Sequence, residues 1–432
     1  MFFLTLAHAA MSGHADPRFA QLQQVLGVNN VPGTPGHNIS LTIGTVDGEL
    51  FSYVNGNMTL AEKQVLASAS KWPAATALLL MMDAANVSVD DPISKYLSWW
   101  TTDPADPRSR ATLRHFLTMT SGMIMDGNDG ALELNCTLEN VLACDDFQRR
   151  LAHGLTTNST FYECAVASAG RANAECVRAM YGAAPALYAP GRYFAYATLS
   201  FQFVAAAMEV ALGQPIEALL RQYFLTPLGF SGPWISQCSM PREPAEINPK
   251  VPVLGCGLVA DNVEMSRFHR RMLRRDVLPH QLHEAQETVD MPFAQFSTSN
   301  AVWGPYGFGV WGMCLYGGVS SALPPPCVDA ATGGALRITH PGKYGYIGAI
   351  SRRNGFYFSL MPTYTCDASN AWCASGQPPG PNDAPALFYA LRSYAFFASF
   401  MDDIFAGQAA PTARARSGSD GGTACGRGED AP

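Results

Sequence analysis

Ser68 and Lys71 stand three residues apart in Ala67-Ser68-Ala69-Ser70-Lys71-Trp72-Pro73, at the head of an apolar run that continues through Leu80. If the run is a helix, both side chains lie on one face at its N-terminus. A hydroxyl beside an amine there can become a nucleophile. The helix dipole favours a developing alkoxide and disfavours an ammonium. An amine whose pKa is lowered by burial and by its neighbours can then take the hydroxyl's proton. The spacing occurs once in a chain with five lysines. Chance supplies it about a third of the time at this composition, so the case rests on partner groups elsewhere.

Two further residues could supply such partners. Tyr196 follows the turn-forming Pro190-Gly191, and His340 closes the strand-like run Leu336–Thr339 just before Pro341-Gly342. Each has a bland reading: a tyrosine among 16 is more often a core residue, and a lone histidine at a strand end is more often structural. For His340, the strand, the His-x-Gly spacing and the hairpin that follows favour a place in a site. Other candidates are weaker. His280 and His283 lack the H-E-x-x-H pattern and a third ligand, so they read as a solvated helix face, as do Arg270-Arg271 and Arg274-Arg275. Trp99-Trp100 reads as packing, and no G-x-S-x-G elbow occurs. No metal-ligand spacing is present, so no metal or other cofactor is expected.

The elements that must position these residues can be read from periodicity and turn chemistry. Residues 16–38 begin as a short helix and continue as a Pro/Gly loop. Ile39–Ile43 and Leu50–Val54 form a hairpin about Asp47-Gly48. A core helix runs from Ser68 to about Ala85, and a short one from Thr112 is stopped at Gly122. Longer helices are expected over Thr198–Leu212, Ile216–Phe224 and Asn262–Arg275, with strands over Gly307–Trp311, Leu336–His340, Gly345–Ser351 and Phe356–Leu360. Arg353-Asn354-Gly355 joins the last two strands, and Ala384–Phe405 reads as a helix. Strands at both ends with helices between predict an α+β fold, with one antiparallel sheet built from both chain ends, flanked by helices and interrupted by a mostly helical domain. The expected division is an α/β domain from residues 16–92 and 296–406, and a helical domain over 93–295. The latter carries a disulfide-rich insertion at about 126–186, and residues 407–432 form a disordered tail. A cleft between the two parts is the natural place for a site.

Composition bounds the setting. The chain has 432 residues, 48% hydrophobic and 15% charged, with a net charge of −7. That excludes wholesale disorder and gives no reason to expect nucleic acid. No run of 18 or more apolar residues occurs, so no membrane span is expected. Residues 1–15 read equally as a short secretion signal cleaved after Ala9 or Ala15, and as a frayed end. Five glycosylation sequons, at Asn38, Asn57, Asn86, Asn135 and Asn158, fall in the first 160 residues. Ten of the eleven cysteines form close couples: Cys136/Cys144, Cys164/Cys176, Cys238/Cys256, Cys314/Cys327 and Cys366/Cys373. Cys425 is left over. These features favour a secreted or secretory-lumen protein with loop-closing disulfides over buried free thiols in a reducing cytosol. Sequential pairing is the simplest connectivity, and nothing sets an oligomeric state.

Six segments, in order, resemble the serine beta-lactamase and penicillin-binding-protein superfamily, in particular its class C beta-lactamase-related and esterase branch. They are Ser68-Ala69-Ser70-Lys71, Val89-Asp90-Asp91-Pro92, Leu113–Met123 with its Thr120-Ser121-Gly122, Pro190–Thr198, Gly257–Phe268 and His340-Pro341-Gly342. The resemblance spans roughly residues 39–405. It implies a serine hydrolase acting through an acyl-enzyme on a small-molecule ester or amide, of esterase, beta-lactamase or D-amino-acid peptidase type. Ser68 would be the nucleophile, with Lys71 and Tyr196 as proton carriers. The oxyanion hole would be the backbone N–H groups of Ser68 and of Lys343, the residue after Gly342. His340 occupies the place of the family's Lys-Thr-Gly lysine or His-x-Gly histidine; Lys343-Tyr344-Gly345 is the alternative, set second because His340 closes the strand.

Thr198 departs from the pattern, since the family's Tyr-x-Asn has asparagine there. An amide can hold both a lysine and a substrate amide, whereas threonine offers one hydroxyl. An esterase therefore suffers least from the change. The reading from another class is a catalytically silent relative that binds a ligand or partner.

Overall fold

The computed structural model describes residues 16–27, 39–56, 58–123, 125, 159–165, 171–184, 186, 188–192, 194–238, 248–288, 306–312, 337–362, 401 and 404–405. Several expectations lie outside them. These are the segment 1–15, Asn38, Asn57, Asn135, Asn158, the couples Cys136/Cys144, Cys314/Cys327 and Cys366/Cys373, Cys425, the tail, and most of the 384–405 helix.

Among the described residues the sheet has six strands in the order β2-β1-β8-β7-β6-β5, and each neighbouring pair is antiparallel. Strands β1 (Ile39–Thr45) and β2 (Glu49–Val54) come from the first part of the chain. Strands β5 (Trp311–Gly312), β6 (Arg337–Thr339), β7 (Ile347–Ser351) and β8 (Phe356–Pro362) come from the last part. The two sets meet where β1 lies on β8, with Ile43 opposite Phe358. Strand β7 is buried along its whole length and β1 and β8 along all but their last residue, so they show no in–out alternation. Both faces are covered, although β1 still alternates in residue type, with Ser40 and Thr42 buried alongside Ile39, Leu41 and Ile43. The hairpin turns fall where expected: Thr45 N–H donates to the Gly48 carbonyl (2.9 Å), and Gly355 takes φ +68° in the turn after β7.

Helix α1 (Ala20–Gly27) begins the chain of helices, and Phe19 before it stacks on Phe51 of β2. The central helix α2 (Lys71–Ala84) buries Trp72, Ala74, Ala75, Ala77, Leu78, Leu79, Met81 and Met82, apolar on every side as a core helix requires. It does not begin at Ser68. Residues Ala67–Ser70 form a 3-10 turn ahead of it, in which residues three apart eclipse one another.

Helices α3 (Leu113–Leu117), α4 (Asn173–Ala183) and α5 (Ser200–Leu212) pack together, with α5 also lying on α2. Helix α5 ends at Gly213 in the left-handed region, where the absence of a Cβ removes the steric cost. Beyond it, α6 (Ile216–Leu220) runs through a π-turn (Arg221–Leu225) into α7 (Thr226–Leu228). Among the described residues no single helix is long and apolar enough to cross a membrane. A two-stranded ladder, β3 (Gln64–Val65) with β4 (Val259–Ala260), leads into α8 (Asn262–Arg274), which packs on β1, β7 and β8. Asn262 of α8 reaches the sheet directly, donating to Ser40 Oγ (2.9 Å) and the Ser359 carbonyl (3.2 Å). Helix α9 (His280–Glu287) follows.

Three expectations need correction. Residues 307–310 are not strand: Gly307 N–H donates to the Val310 carbonyl (2.8 Å) in a tight turn, and only Trp311–Gly312 joins the sheet. The helix from Thr112 ends at Leu117 and not at Gly122, because Met119 turns into the left-handed region at φ +58°. His283 is not on a solvated face; it is buried and its Nε2 accepts the Leu278 N–H (3.0 Å), while His280 is exposed. The expectations of Cys164–Cys176 and Cys238–Cys256 disulfides match bonds in the structure.

Candidate active site

Ser68 sits at a constrained point. Leu66 N–H donates to the Leu258 carbonyl (2.9 Å) and Leu258 N–H donates to Ser70 Oγ (3.1 Å), so the short ladder grips the chain on both sides of Ser68. Ala67 holds φ +48°, uncommon for a residue with a Cβ. Ser68 itself is half-buried while Ala67, Ala69, Ser70 and Lys71 are buried.

The eclipsed turn brings the Lys71 amine to 3.1 Å from Ser68 Oγ. The amine also donates to the Gly255 carbonyl (3.0 Å) and lies 3.5 Å from Thr198 Oγ1. It rests 4.5 Å from the centroid of the Tyr196 ring, against the ring's electron-rich face. Lys71 is fully buried.

The segment with Tyr196 and Thr198 is held in place by a relay of loops. Asp91 accepts hydrogen bonds from Tyr96 and, less strongly, from Lys95, and these hold its carboxyl below the usual carboxylate range. Its carbonyl takes the Leu113 N–H and that of Val89 takes the Arg114 N–H, which docks α3. The turn after α3 grips the next segment. Thr120 O accepts the Gly191 N–H (2.8 Å), Met119 O accepts the Ala195 N–H (2.8 Å), and Phe116 O accepts Ser200 Oγ (2.7 Å). A Cβ on Gly122 would lie 2.2 Å from the Tyr188 carbonyl oxygen, so the Thr-Ser-Gly turn requires its glycine.

His340 is buried at the end of β6, 3.0 Å from the Tyr196 hydroxyl through Nε2 and 2.9 Å from the Gly309 carbonyl through Nδ1. A carbonyl can only accept, so Nδ1 carries the hydrogen. Burial above all, and then the nearby charge of Lys71, hold the His340 pKa well below the ordinary imidazole value, against the Gly309 hydrogen bond. The neutral ring therefore presents a bare Nε2, and the Tyr196 hydroxyl donates to it. Trp311 stacks on Tyr196 (6.0 Å between centroids, 17° between planes), and Tyr306 meets it edge-on.

Gly342 lies against the chain entering the Ser68 turn, since a Cβ there would be 2.2 Å from the Leu66 carbonyl oxygen. Lys343 follows it with an exposed side chain, whose pKa partial desolvation holds below the ordinary lysine value.

The structure thus brings Ser68, Lys71, Tyr196, Thr198 and His340 together through direct contacts, with Gly342 packed on the same turn. It places Lys343 at an exposed position one residue on. Sequence reasoning missed the Gly255 and Gly309 carbonyls, which orient the amine and the imidazole. A backbone acceptor has no side-chain signature; only the glycines themselves, in Gly255-Cys256-Gly257 and Gly307-Phe308-Gly309, mark the close approaches. Among the described residues no group of three or more His, Cys, Asp or Glu side chains could hold a metal ion. Of the sequons, Asn86 is described, and it is exposed at φ +53° just beyond α2.

Comparison with known proteins bears on the fold and the family. The chain is similar in fold to a Bacteroides dorei protein assigned as a beta-lactamase (TM-score 0.57, 20% identity, 90% of this chain and 99% of that one). It is similar to EstCE1, a hydrolase with promiscuous acyltransferase activity (TM-score 0.56, 15% identity, 88% and 98%). It is also similar to simvastatin synthase from Aspergillus terreus (TM-score 0.54, 15% identity, 89% and 98%). No curated protein matches it. Residues 41–365 match the family model described as Beta-lactamase. That segment runs from β1 past β8 and holds every candidate site residue, and the chain belongs to the beta-lactamase family.

Proposed function

We propose that the chain is a serine hydrolase that forms an acyl-enzyme on Ser68, with an ester as its preferred substrate. The observation that carries this reading is the set of three neighbours around the Lys71 amine. A neutral amine has two N–H groups and one lone pair. Once Lys71 has given up a proton, one N–H can lie on the Gly255 carbonyl and the other toward Thr198 Oγ1 while the lone pair takes the proton of the Ser68 hydroxyl 3.1 Å away.

In the proposed reaction Ser68 Oγ attacks the substrate carbonyl and its proton passes to Lys71. The backbone N–H groups of Ser68 and Lys343 receive the oxyanion. As the tetrahedral intermediate collapses, Tyr196 gives its hydroxyl proton to the leaving alkoxide and regains one from the Lys71 ammonium. Water then releases the acyl group by the reverse sequence. The neutral His340 holds the Tyr196 oxygen in place through Nε2, and for this exchange the hydroxyl hydrogen turns from Nε2 to the leaving alkoxide.

Preference for an ester follows from two features. Thr198 offers one hydroxyl where an amide side chain could also bind a substrate amide, and His340 carries no charge with which to attract a carboxylate. Two disulfides favour an oxidising compartment. Secretion, or residence in the secretory lumen, is the setting we propose, with exposed Asn86 as a glycosylation acceptor.

The test is stopped-flow hydrolysis of p-nitrophenyl butyrate alongside a chromogenic cephalosporin, with mass spectrometry of a fluorophosphonate adduct. The expected result is a nitrophenolate burst, an adduct on Ser68, and loss of both in Ser68→Ala. An intact burst in Ser68→Ala would refute the assignment.

A further inference from the structure

The Gly255 carbonyl that receives the Lys71 amine belongs to a loop held from both sides. On its N-terminal side the fully buried Gln202 of α5 uses its whole amide. Its Oε1 accepts the Leu254 N–H (2.7 Å), and its Nε2 donates to the Pro252 carbonyl (3.0 Å) and to Asn173 Oδ1 (2.9 Å). On the C-terminal side the peptide unit that presents the Gly255 oxygen is completed by Cys256. That residue donates its N–H to the Val253 carbonyl (3.2 Å) and is bonded through sulfur to Cys238.

Cys238 ends the segment that supports the loop from beneath. Ile235 N–H donates to the Gly257 carbonyl (2.8 Å), Val253 N–H to the Ile235 carbonyl (2.9 Å), and Trp234 Nε1 to the Val253 carbonyl (2.9 Å). Gly255 lies close against the Thr198 backbone, since a Cβ on it would stand 2.1 Å from the Thr198 carbonyl oxygen. Any slack in this loop would move two of the three groups around the Lys71 amine at once: the Gly255 carbonyl, and Thr198 pressed against it.

We infer that the Cys238–Cys256 disulfide and Gln202 are positioning groups for Lys71, fixing the Gly255 carbonyl and so the direction in which the amine faces Ser68. This rests on the acyl-enzyme reading above. Gly355→Ala serves as the control for lost stability, because it strains the turn between β7 and β8 at φ +68°, where nothing lies within 4 Å of the added Cβ.

The test compares Cys238→Ala/Cys256→Ala, Gln202→Met and Gly355→Ala in the full chain. One readout is the ζ-nitrogen resonance of Lys71 in 15N-lysine-labelled protein. With five lysines in the chain, it is assigned by its loss in Lys71→Arg. The other is the burst rate with p-nitrophenyl butyrate, separated from KM. We expect the Lys71 resonance to shift in the first two variants and the burst to slow by about 10-fold or more, with KM within about twofold, as misplacement of a reacting group predicts.

The control lowers the melting temperature and leaves the resonance and the burst unchanged. An unchanged Lys71 resonance and burst in folded Cys238→Ala/Cys256→Ala would overturn the proposal. If that variant does not fold, Gln202→Met decides, since it keeps every disulfide. A wild-type protein with no Ser68-dependent burst would refute the acyl-enzyme reading instead, and the Lys71 resonance would still decide the positioning.

Discussion

Gly309→Ala should damage the site far more than its single added methyl suggests, and Gly355→Ala supplies the comparison that isolates why. Both glycines sit in the left-handed region, at φ +70° and +68°. Gly355 has nothing within 4 Å of where its Cβ would go. Its replacement therefore measures the backbone cost alone, about 1–2 kcal/mol for an L-residue forced into that region.

At Gly309 the new Cβ would lie 2.4 Å from the Lys71 carbonyl oxygen and 2.7 Å from Ala75 Cβ, both on α2. Ordinary contact requires a retreat of about 1 Å, and overpacking of this kind costs about 1–3 kcal/mol more. The retreat also stretches the 2.9 Å bond from His340 Nδ1 to the Gly309 carbonyl beyond hydrogen-bond range. His340 is then free to place its hydrogen on Nε2, where it opposes the Tyr196 hydroxyl. Urea unfolding should show Gly309→Ala to be less stable than Gly355→Ala by about 2 kcal/mol or more. The ester burst should fall about 10- to 100-fold in Gly309→Ala and stay unchanged in Gly355→Ala. Equal stability of the two variants within about 0.5 kcal/mol, with the burst intact in both, would refute the account of how Gly309 sets the imidazole.

Two further outcomes are expected. Thr198→Asn restores an amide beside Lys71 and should raise turnover of the chromogenic cephalosporin relative to p-nitrophenyl butyrate by about 10-fold or more; an unchanged ratio would remove Thr198 as a determinant of substrate class. Stability should fall steeply below neutral pH. Burial holds His269 to about 3, and burial followed by the charges of Arg352 and Arg275 holds His283 to about 4, against 6.5 unfolded. The unfolded chain therefore binds more protons below pH 6.5, and each of these histidines weakens the fold by about 2 kcal/mol between pH 7 and pH 5. In His283→Gln the loss measured by urea unfolding over that range should shrink by about that amount; an unaltered pH dependence would show that His283 is not the group responsible.

Those parts of the site carried by side chains at fixed spacing were legible in the sequence, and those carried by backbone were not. Ser68 and Lys71 announce themselves by type and interval, and the sheet by its hairpin turns at Asp47-Gly48 and Asn354-Gly355. The stretch 307–311 has strand composition, yet its first four residues are spent in a turn that turns the Gly309 carbonyl toward His340. Local β-propensity lost to that tertiary demand. The helix expected to reach Gly122 stops at Leu117 for a similar reason, because the carbonyls of Met119 and Thr120 are needed by Ala195 and Gly191. His283 looked solvated from its polar neighbours, but Leu278 bends back to donate to it, a contact that no periodicity encodes.

The pairing of β1 with β8 has a consequence for how the protein is made. Ser40 lies opposite Met361, so the hairpin formed by the first strands leaves the ribosome with one edge unpaired for some 300 residues of synthesis. For most of that interval Ser68 and Lys71 have been translated and His340 has not. The final hairpin of the sheet therefore closes two things at once when it forms, the open edge of β1 and the place beside Tyr196 that His340 fills.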